Sequence, residues 1–195
     1  MRKKILLLSL IVVGLLTFSF SNSTHLEKDK KYIYWGDKEL TWEDFKGRGP
    51  GKSPYVALTS SAIKMEFSGT GNTLNFSIAT IFDQKESWKK KGADDHVLKH
   101  EQVHFDITEY YSRLLRKELQ ETKFKKRETL SSEVQKIYAA QYKECGKFQD
   151  LYDKETDHSK KKEEQYRWNE KVAELLNATS NLNATDFSVD ISYLK

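Results

Sequence analysis

The segment His100-Glu101-Gln102-Val103-His104 carries residue types that could do chemistry together. Its two histidines are four residues apart, close to one helical turn, so on a helix both imidazoles lie on one face. Two neutral imidazoles at this spacing can bind one Zn²⁺, and a glutamate directly after the first histidine can take a proton from water held by the metal. The pattern therefore predicts a zinc-dependent hydrolase, with His100 and His104 as ligands and Glu101 as the general base.

The sequence around this pattern predicts a helix that turns the histidines inward. From His96 to about Lys123 there is no Gly or Pro, and strong helix formers dominate. Apolar residues recur at steps of three and four, and the two histidines fall on or beside the same stripe. Surface histidines would lie on the polar face instead. Neutral histidines buried in a core are the competing interpretation of this placement.

A catalytic zinc takes three protein ligands, so a third ligand must come from another segment. His25 lies just after the N-terminal apolar run, and His96 is eight residues before His104, too far along one helix for the ligands to converge. His158 lies near the predicted end of a second long helix, and we predict it as the third ligand. Asp153, in the same segment, is the alternative third ligand, because a carboxylate also binds zinc.

The elements that must position these residues are strands followed by helices. Alternating apolar residues around a Gly-rich turn predict a β-hairpin with strands over about 55–67 and 74–82. Amphipathic patterns predict two further long helices, over about 130–152 and 159–177, and then a polar tail with a strand at 187–193. This order predicts an α+β domain in which helices pack on an antiparallel sheet.

The N-terminus predicts a secretory signal peptide over residues 1–23. A basic start at Met1-Arg2-Lys3-Lys4 precedes an apolar run to about Phe20, and the small residues Ser21-Asn22-Ser23 suit cleavage. The run is short for a membrane span, which needs about 20 residues, so an uncleaved anchor is the alternative. The protein is expected to be exported to the periplasm, the cell envelope or the exterior. Contact with a membrane is expected only if the leader is uncleaved.

Charge and cysteine content narrow the function further. The chain has 33 Lys+Arg and 29 Asp+Glu, and three of the basic residues lie in the leader, so the mature chain has 30 against 29. A nearly neutral chain gives no electrostatic case for binding nucleic acid. Cys145 is the only cysteine, which excludes a disulfide within the chain and a Cys-rich zinc site. Its place in a helical stripe favours an inert buried thiol over a nucleophile.

Several blocks of the chain together match the pattern of a known family. They are Trp42-Glu43-Asp44-Phe45-Lys46-Gly47, Ser87-Trp88, His100-Glu101-Gln102-Val103-His104-Phe105-Asp106-Ile107 and Tyr152-Asp153-Lys154-Glu155-Thr156-Asp157-His158, with Trp168 following. Over about residues 32–176 the chain resembles the predicted secreted zinc-dependent proteases of bacteria, a domain family labelled as of unknown function. That family usually has Gly after the last block, where this chain has Ser159.

The resemblance implies a zincin-like α+β fold, with an N-terminal antiparallel sheet followed by three long helices that include the HExxH active-site helix. It implies a metallopeptidase domain at 24–177, before a C-terminal tail at 178–195. It also implies zinc at His100 and His104, with Glu101 as the general base. Two arrangements of the last block stay open. Either His158 binds zinc and Asp153 orients a ligand, or Asp153 binds zinc and His158 or Tyr152 donates to the oxyanion.

The expected function is an exported zinc metallopeptidase, which hydrolyses bonds in a peptide or protein substrate with zinc-activated water. One alternative is a non-catalytic domain of the cell envelope that binds zinc or a partner. Another is an amide hydrolase that acts on cell-wall peptides. By analogy with zincin-like folds, we expect the strand at 74–82 to form an exposed sheet edge that pairs with extended substrate.

Overall fold

The sheet of this computed structural model, which describes residues 25–194, is built around one long strand. The strands are β1 Tyr32–Tyr34, β2 Ala57–Leu58, β3 Ser61–Thr70, β4 Thr73–Asp83, β5 Trp88–Lys89 and β6 Asp186–Asp190. β4 pairs antiparallel with β3 on one side, and with both β1 and β6 on the other. β2 and β5 form a separate antiparallel pair. The signal peptide predicted over 1–23 lies outside the described residues.

The prediction that the strand at 74–82 is an exposed edge is wrong. β1 covers one end of β4 and β6 covers the other. Between them, the N–H of Trp35 donates to the Thr80 carbonyl at 3.0 Å, and the N–H of Ile78 donates to the Thr185 carbonyl at 2.8 Å. Since both sides of β4 are hydrogen-bonded, the strand cannot accept an added peptide. Alternation of apolar residues shows which face of a strand is buried, but it does not show which strands flank it.

Three long helices follow the first five strands and confirm the predicted α+β class. They are α1 Asp95–Glu121, α2 Leu130–Thr156 and α3 Lys162–Ala178. The side chain of Asp94 caps α1 by accepting from the N–H of Val97 at 2.9 Å. None of the helices in the described part of the chain is both long and apolar enough to cross a membrane.

Two of the four hydrophobic clusters among the described residues contain most of the buried apolar side chains between the sheet and the helices. The first, which we call the sheet core, packs β4 residues such as Phe76 and Ile78 against Leu115 and Leu119 of α1. The second, the helical core, joins all three helices through Val103, Ile107, Cys145, Tyr152, Trp168 and Val172. The inward stripe predicted from the sequence therefore places the two histidines of α1 beside the helical core.

The C-terminal segment shares the sheet core. The strand predicted within the tail at 178–195 is present as β6, and it is antiparallel to β4. Val189, Ile191 and Leu194 are buried in the sheet core together with residues of β4 and α1. β6 and the residues after it, up to Leu194, therefore belong to the same folded unit as the helices.

A buried charge network fixes α1 to the sheet. Glu109 accepts from Arg113 Nε at 2.9 Å and from Arg116 Nη1 at 3.0 Å. It also accepts from the hydroxyl of Thr80 at 2.7 Å. Arg116, which is 1% exposed, donates through Nη2 to the Ile78 carbonyl of β4 at 3.0 Å. Moving one partner away would leave a buried charge uncompensated, which is strongly unfavourable. The network therefore holds α1 in place against β4.

Candidate metal site

Three side chains converge between α1 and α2. Nε2 of His100 and Nε2 of His104 are each 3.1 Å from Oδ1 of Asp153, and the two nitrogens are 3.2 Å apart. Among residues 25–194, these three form the group of His, Cys, Asp and Glu side chains that could hold a metal ion. Two imidazole nitrogens and one carboxylate oxygen suit Zn²⁺ and leave a position for water. Other divalent transition metals also accept this donor set.

Helical spacing explains why these atoms meet. His100 and His104 are one turn apart on α1, and on α2 Gln149 and Asp153 are also one turn apart. The side chain of Asp153 contacts both histidines, and that of Gln149 contacts His104. Each helix therefore presents two consecutive turns of one face to the other helix.

His158 contacts the cluster through Asp153. Its Nδ1 is 3.3 Å from Oδ1 of Asp153, and its side chain is 36% exposed. α2 ends at Thr156, and the next three residues adopt left-handed backbone conformations, with φ of 47° at Asp157, 52° at His158 and 72° at Ser159. The chain has therefore left the helix before His158, and the ring of His158 faces Asp153. The donor atoms that lie close enough together to hold one metal ion come from His100, His104 and Asp153, and not from His158. The geometry therefore favours Asp153, the alternative, over the predicted His158 as the third ligand.

The two other histidines lie outside the cluster, as the sequence predicts. Nδ1 of His25 is 3.1 Å from Oδ2 of Asp186, at the opposite end of the described chain. Nε2 of His96 is 2.7 Å from the carbonyl oxygen of Ser159. His96 therefore holds the left-handed turn that carries His158, and it does not bind with the other imidazoles.

Asp153 and the imidazoles shift each other's pKa. Burial alone would lower the pKa of His104, but the Asp153 carboxylate outweighs burial and raises that pKa to about 9. Burial alone would raise the pKa of Asp153, but His104 and His100 hold it well below its usual range. The groups therefore stabilise positive charge between them, whether a proton or a metal ion carries it.

Glu101, the predicted general base, is buried beside the cluster. Its side chain is 5% exposed, and within the described residues its Oε2 has no hydrogen-bond partner. Its charge also contributes to the raised pKa of His104. The backbone is fixed because Thr59 Oγ1 donates to the Glu101 carbonyl at 3.1 Å. A buried carboxylate oxygen without a partner is costly, so a bound group that donates to it would be stabilised.

A family model described as a bacterial protein of unknown function (DUF922) matches residues 19–159. The chain belongs to this family. The match includes His100, Glu101, His104 and Asp153, whereas its description names no activity. No curated protein and no solved structure shows significant similarity to the chain.

Two glutamines that sequence reasoning missed lie behind the histidines. Gln149 is inside the stretch matched by the DUF922 model, and its Oε1 contacts Nδ1 of His104. Gln165 lies beyond that stretch, on α3, and its Oε1 is 2.7 Å from Nδ1 of His100. The position of Gln149 one turn before Asp153 is a signal that could have identified it. Gln165 has no comparable signal, because its contact depends on how α3 packs.

Tyr152 does not suit the oxyanion role considered from the sequence. It is 0% exposed, and its ring stacks on that of His100 with centroids 4.5 Å apart. Its hydroxyl donates to the His100 carbonyl at 3.2 Å and accepts from Gln165 Nε2. The hydroxyl is therefore already occupied in the interior, and the side chain supports the His100 ring.

Proposed function

We propose that this protein is a zinc-dependent peptidase with His100, His104 and Asp153 as metal ligands and Glu101 as general base. The observation that supports the proposal is the convergence of two Nε2 atoms and one carboxylate oxygen, with a buried and unpartnered Glu101 oxygen nearby. A zinc ion bound there would polarise a scissile carbonyl and lower the pKa of a water molecule toward about 7.

In this proposal Glu101 takes a proton from the attacking water molecule. Its Oε2 has no partner among the described side chains, so accepting a proton breaks no existing hydrogen bond there. The carboxyl group then passes the proton to the leaving amine. The fixed backbone at Glu101 keeps the carboxylate in place during both transfers.

His158 would stabilise the negative charge that develops on the scissile carbonyl oxygen. Its Nδ1 faces the Asp153 carboxylate, so its Nε2 is the ring nitrogen left to donate to a substrate when the ring is in the imidazolium form, which carries a proton on both nitrogens. The ring of Tyr55 lies against it, with centroids 4.6 Å apart, and limits how far it can swing. His158 is more exposed than His100, His104 and Asp153, which suits a residue that meets the substrate.

The decisive experiment combines metal analysis with substitution of the base. Wild type and Glu101→Gln are purified under zinc-replete conditions and assayed against a peptide library. Both proteins should carry about one zinc per chain, and Glu101→Gln should hydrolyse peptides about 10²–10⁴-fold more slowly, the usual contribution of a general base. Glu121→Gln is the matched control, because Glu121 lies on the same helix and is exposed at its far end.

Each other outcome points to a different function. A wild-type protein that binds zinc fully but cleaves no peptide would support a non-catalytic zinc- or partner-binding domain. Cleavage restricted to cell-wall peptides would support the amide hydrolase. Protein without stoichiometric metal would overturn the metal site. The leader predicted at the N-terminus supports a substrate outside the cytoplasm, and secretion of a full-length fusion tests that part separately.

A further inference from the structure

Each histidine of the cluster is held from behind by the amide of a glutamine. Nδ1 of His104 contacts Oε1 of Gln149 on α2. Nδ1 of His100 is 2.7 Å from Oε1 of Gln165 on α3, and Gln165 is 0% exposed. The two contacts are alike, although the glutamines come from different helices.

The backbone carbonyl of His104 determines which way the Gln149 amide faces. Its Nε2 donates to the His104 carbonyl at 2.9 Å and to Thr108 Oγ1 at 3.1 Å. A carbonyl oxygen cannot donate, so the reversed amide would place two acceptors against each other. The Oε1 atom of Gln149 therefore faces Nδ1 of His104. Since an amide oxygen only accepts, that ring nitrogen carries the proton.

Tyr152 determines which atom of Gln165 faces His100. The single hydroxyl proton of Tyr152 is donated to the His100 carbonyl at 3.2 Å. The hydroxyl oxygen must then accept from Gln165, so the atom of Gln165 that faces it is Nε2. The Oε1 of Gln165 faces Nδ1 of His100, and this ring also carries its proton on Nδ1.

We propose that Gln149 and Gln165 are positioning residues that keep a proton on Nδ1 of both histidines, so that Nε2 is the nitrogen that each ring turns toward Asp153 and offers to a metal. The inference rests on the proposed metal site and adds what sets its geometry. A neutral imidazole has one bare nitrogen, and only the tautomer protonated at Nδ1 makes that nitrogen Nε2 in both rings. A glutamine also orients the ring without adding the negative charge that a carboxylate would bring.

The contact between Gln165 and His100 couples α3 to the candidate metal site. α3 contributes none of the three converging donor atoms, but Gln165 connects it to His100 and Tyr152. Trp168, one turn nearer the middle of α3, packs on Tyr152 with ring centroids 5.2 Å apart. Zinc affinity is therefore expected to respond to changes in a helix that does not touch the ion.

Zinc titration of variants tests the positioning role. Gln149→Leu and Gln165→Leu should each raise the zinc dissociation constant about 10–100-fold, the usual effect of removing a partner of a ligand. Gln149→Glu keeps an acceptor toward Nδ1 but places a second oxygen against the His104 carbonyl, so it should bind zinc less tightly than wild type and more tightly than Gln149→Leu. Gln141→Leu is the control, because Gln141 also links α2 to α1, through Glu118 at 2.6 Å, away from the cluster. Wild-type affinity in both leucine variants would overturn the proposal, as would equal weakening in Gln149→Glu and Gln149→Leu.

A second measurement needs no variant and no bound metal. Long-range ¹H–¹⁵N correlation spectra of metal-free wild type, recorded at a pH where the ¹⁵N shifts show both rings to be neutral, show which ring nitrogen carries the proton. Protons on Nδ1 of both rings are expected, and a proton on Nε2 of either ring would refute the assignment. If wild type binds no zinc, the proposed function fails, whereas these spectra still decide the tautomers.

Discussion

At the scale of single residues, the proposal gives Asp153 and His158 different roles. Asp153 binds the metal, whereas His158 acts on the substrate. Asp153→Asn should raise the zinc dissociation constant by more than about 100-fold, which exceeds the range for residues that only support a ligand. His158→Gln should keep zinc bound and lower kcat, because the ring contacts Asp153 without joining the two Nε2 atoms. Zinc titration and steady-state kinetics of the two variants measure both effects. Loss of zinc in His158→Gln alone would restore the prediction made from the sequence.

Ser159 shows how a residue other than glycine strains the backbone in a left-handed turn. Its φ of 72° lies in the left-handed region, which is unfavourable for residues other than glycine by about 1–2 kcal/mol. Ser159→Gly should therefore raise the free energy of unfolding by about 1 kcal/mol, since the carbonyl that accepts from His96 is unchanged. Urea denaturation measures the change. Ser159→Ala, which keeps a Cβ, should give no gain, and an equal gain in both variants would contradict the explanation.

The residues of α1 in the site could be predicted, whereas their partners could not. His100, Glu101 and His104 follow from helical periodicity, because their relation to one another is local. Choosing Asp153 over His158 required the end of α2, and a shift of one or two residues there changes which side chain faces α1. Gln165 required the packing of α3 on α1. Contacts between helices depend on the tertiary arrangement, so the sequence named both Asp153 and His158 without deciding between them correctly and did not indicate Gln165.

At the scale of elements, the turn at Trp42–Asp44 is held by one buried carboxylate. Asp44 accepts from Lys38 Nζ at 2.7 Å and from the N–H of Thr41 at 2.8 Å. Burial alone would raise the pKa of Asp44, but these hydrogen bonds outweigh it and lower the pKa. Gly47 follows, where a Cβ would collide with the carbonyl oxygen of Lys85. The Trp42–Gly47 block of the sequence therefore has a structural role in closing this turn.

The lowered pKa of Asp44 predicts a pH-dependent contribution to stability. A carboxyl whose pKa is lower when folded stabilises the fold above its unfolded pKa of about 3.9, and this contribution is lost as pH falls through the folded pKa. Asp44→Asn should therefore reduce the free energy of unfolding by about 1–3 kcal/mol at pH 7, and its difference from wild type should shrink in strong acid. Urea denaturation at pH 7 and near pH 2.5 measures this. The exposed Asp150→Asn is the control, and a penalty independent of pH would refute the role of the charge.

At the scale of the whole molecule, the sheet depends on pairing between distant parts of the chain. The hairpin of β3 and β4 is local, and the turn between them was evident in the sequence. β4 becomes central only because β1 and β6 approach its other side, and β6 comes from the far end of the chain. No local pattern determines such pairing. For this reason the elements and the α+β class could be predicted, whereas the sheet order could not.

Equally buried side chains in the sheet core and the helical core should differ in their effect on zinc binding. Ile191 lies in the sheet core and Trp168 in the helical core, and each is no more than 2% exposed. Replacing either with Ala should cost about 2–5 kcal/mol of stability. Only Trp168→Ala should also weaken zinc binding, by about 10-fold, because Trp168 packs on Tyr152, which stacks on His100. Thermal unfolding and zinc titration of the two variants separate the effects. Equal loss of zinc affinity in both would mean that the site follows global stability, whereas the expected difference places its control in the packing of the three helices.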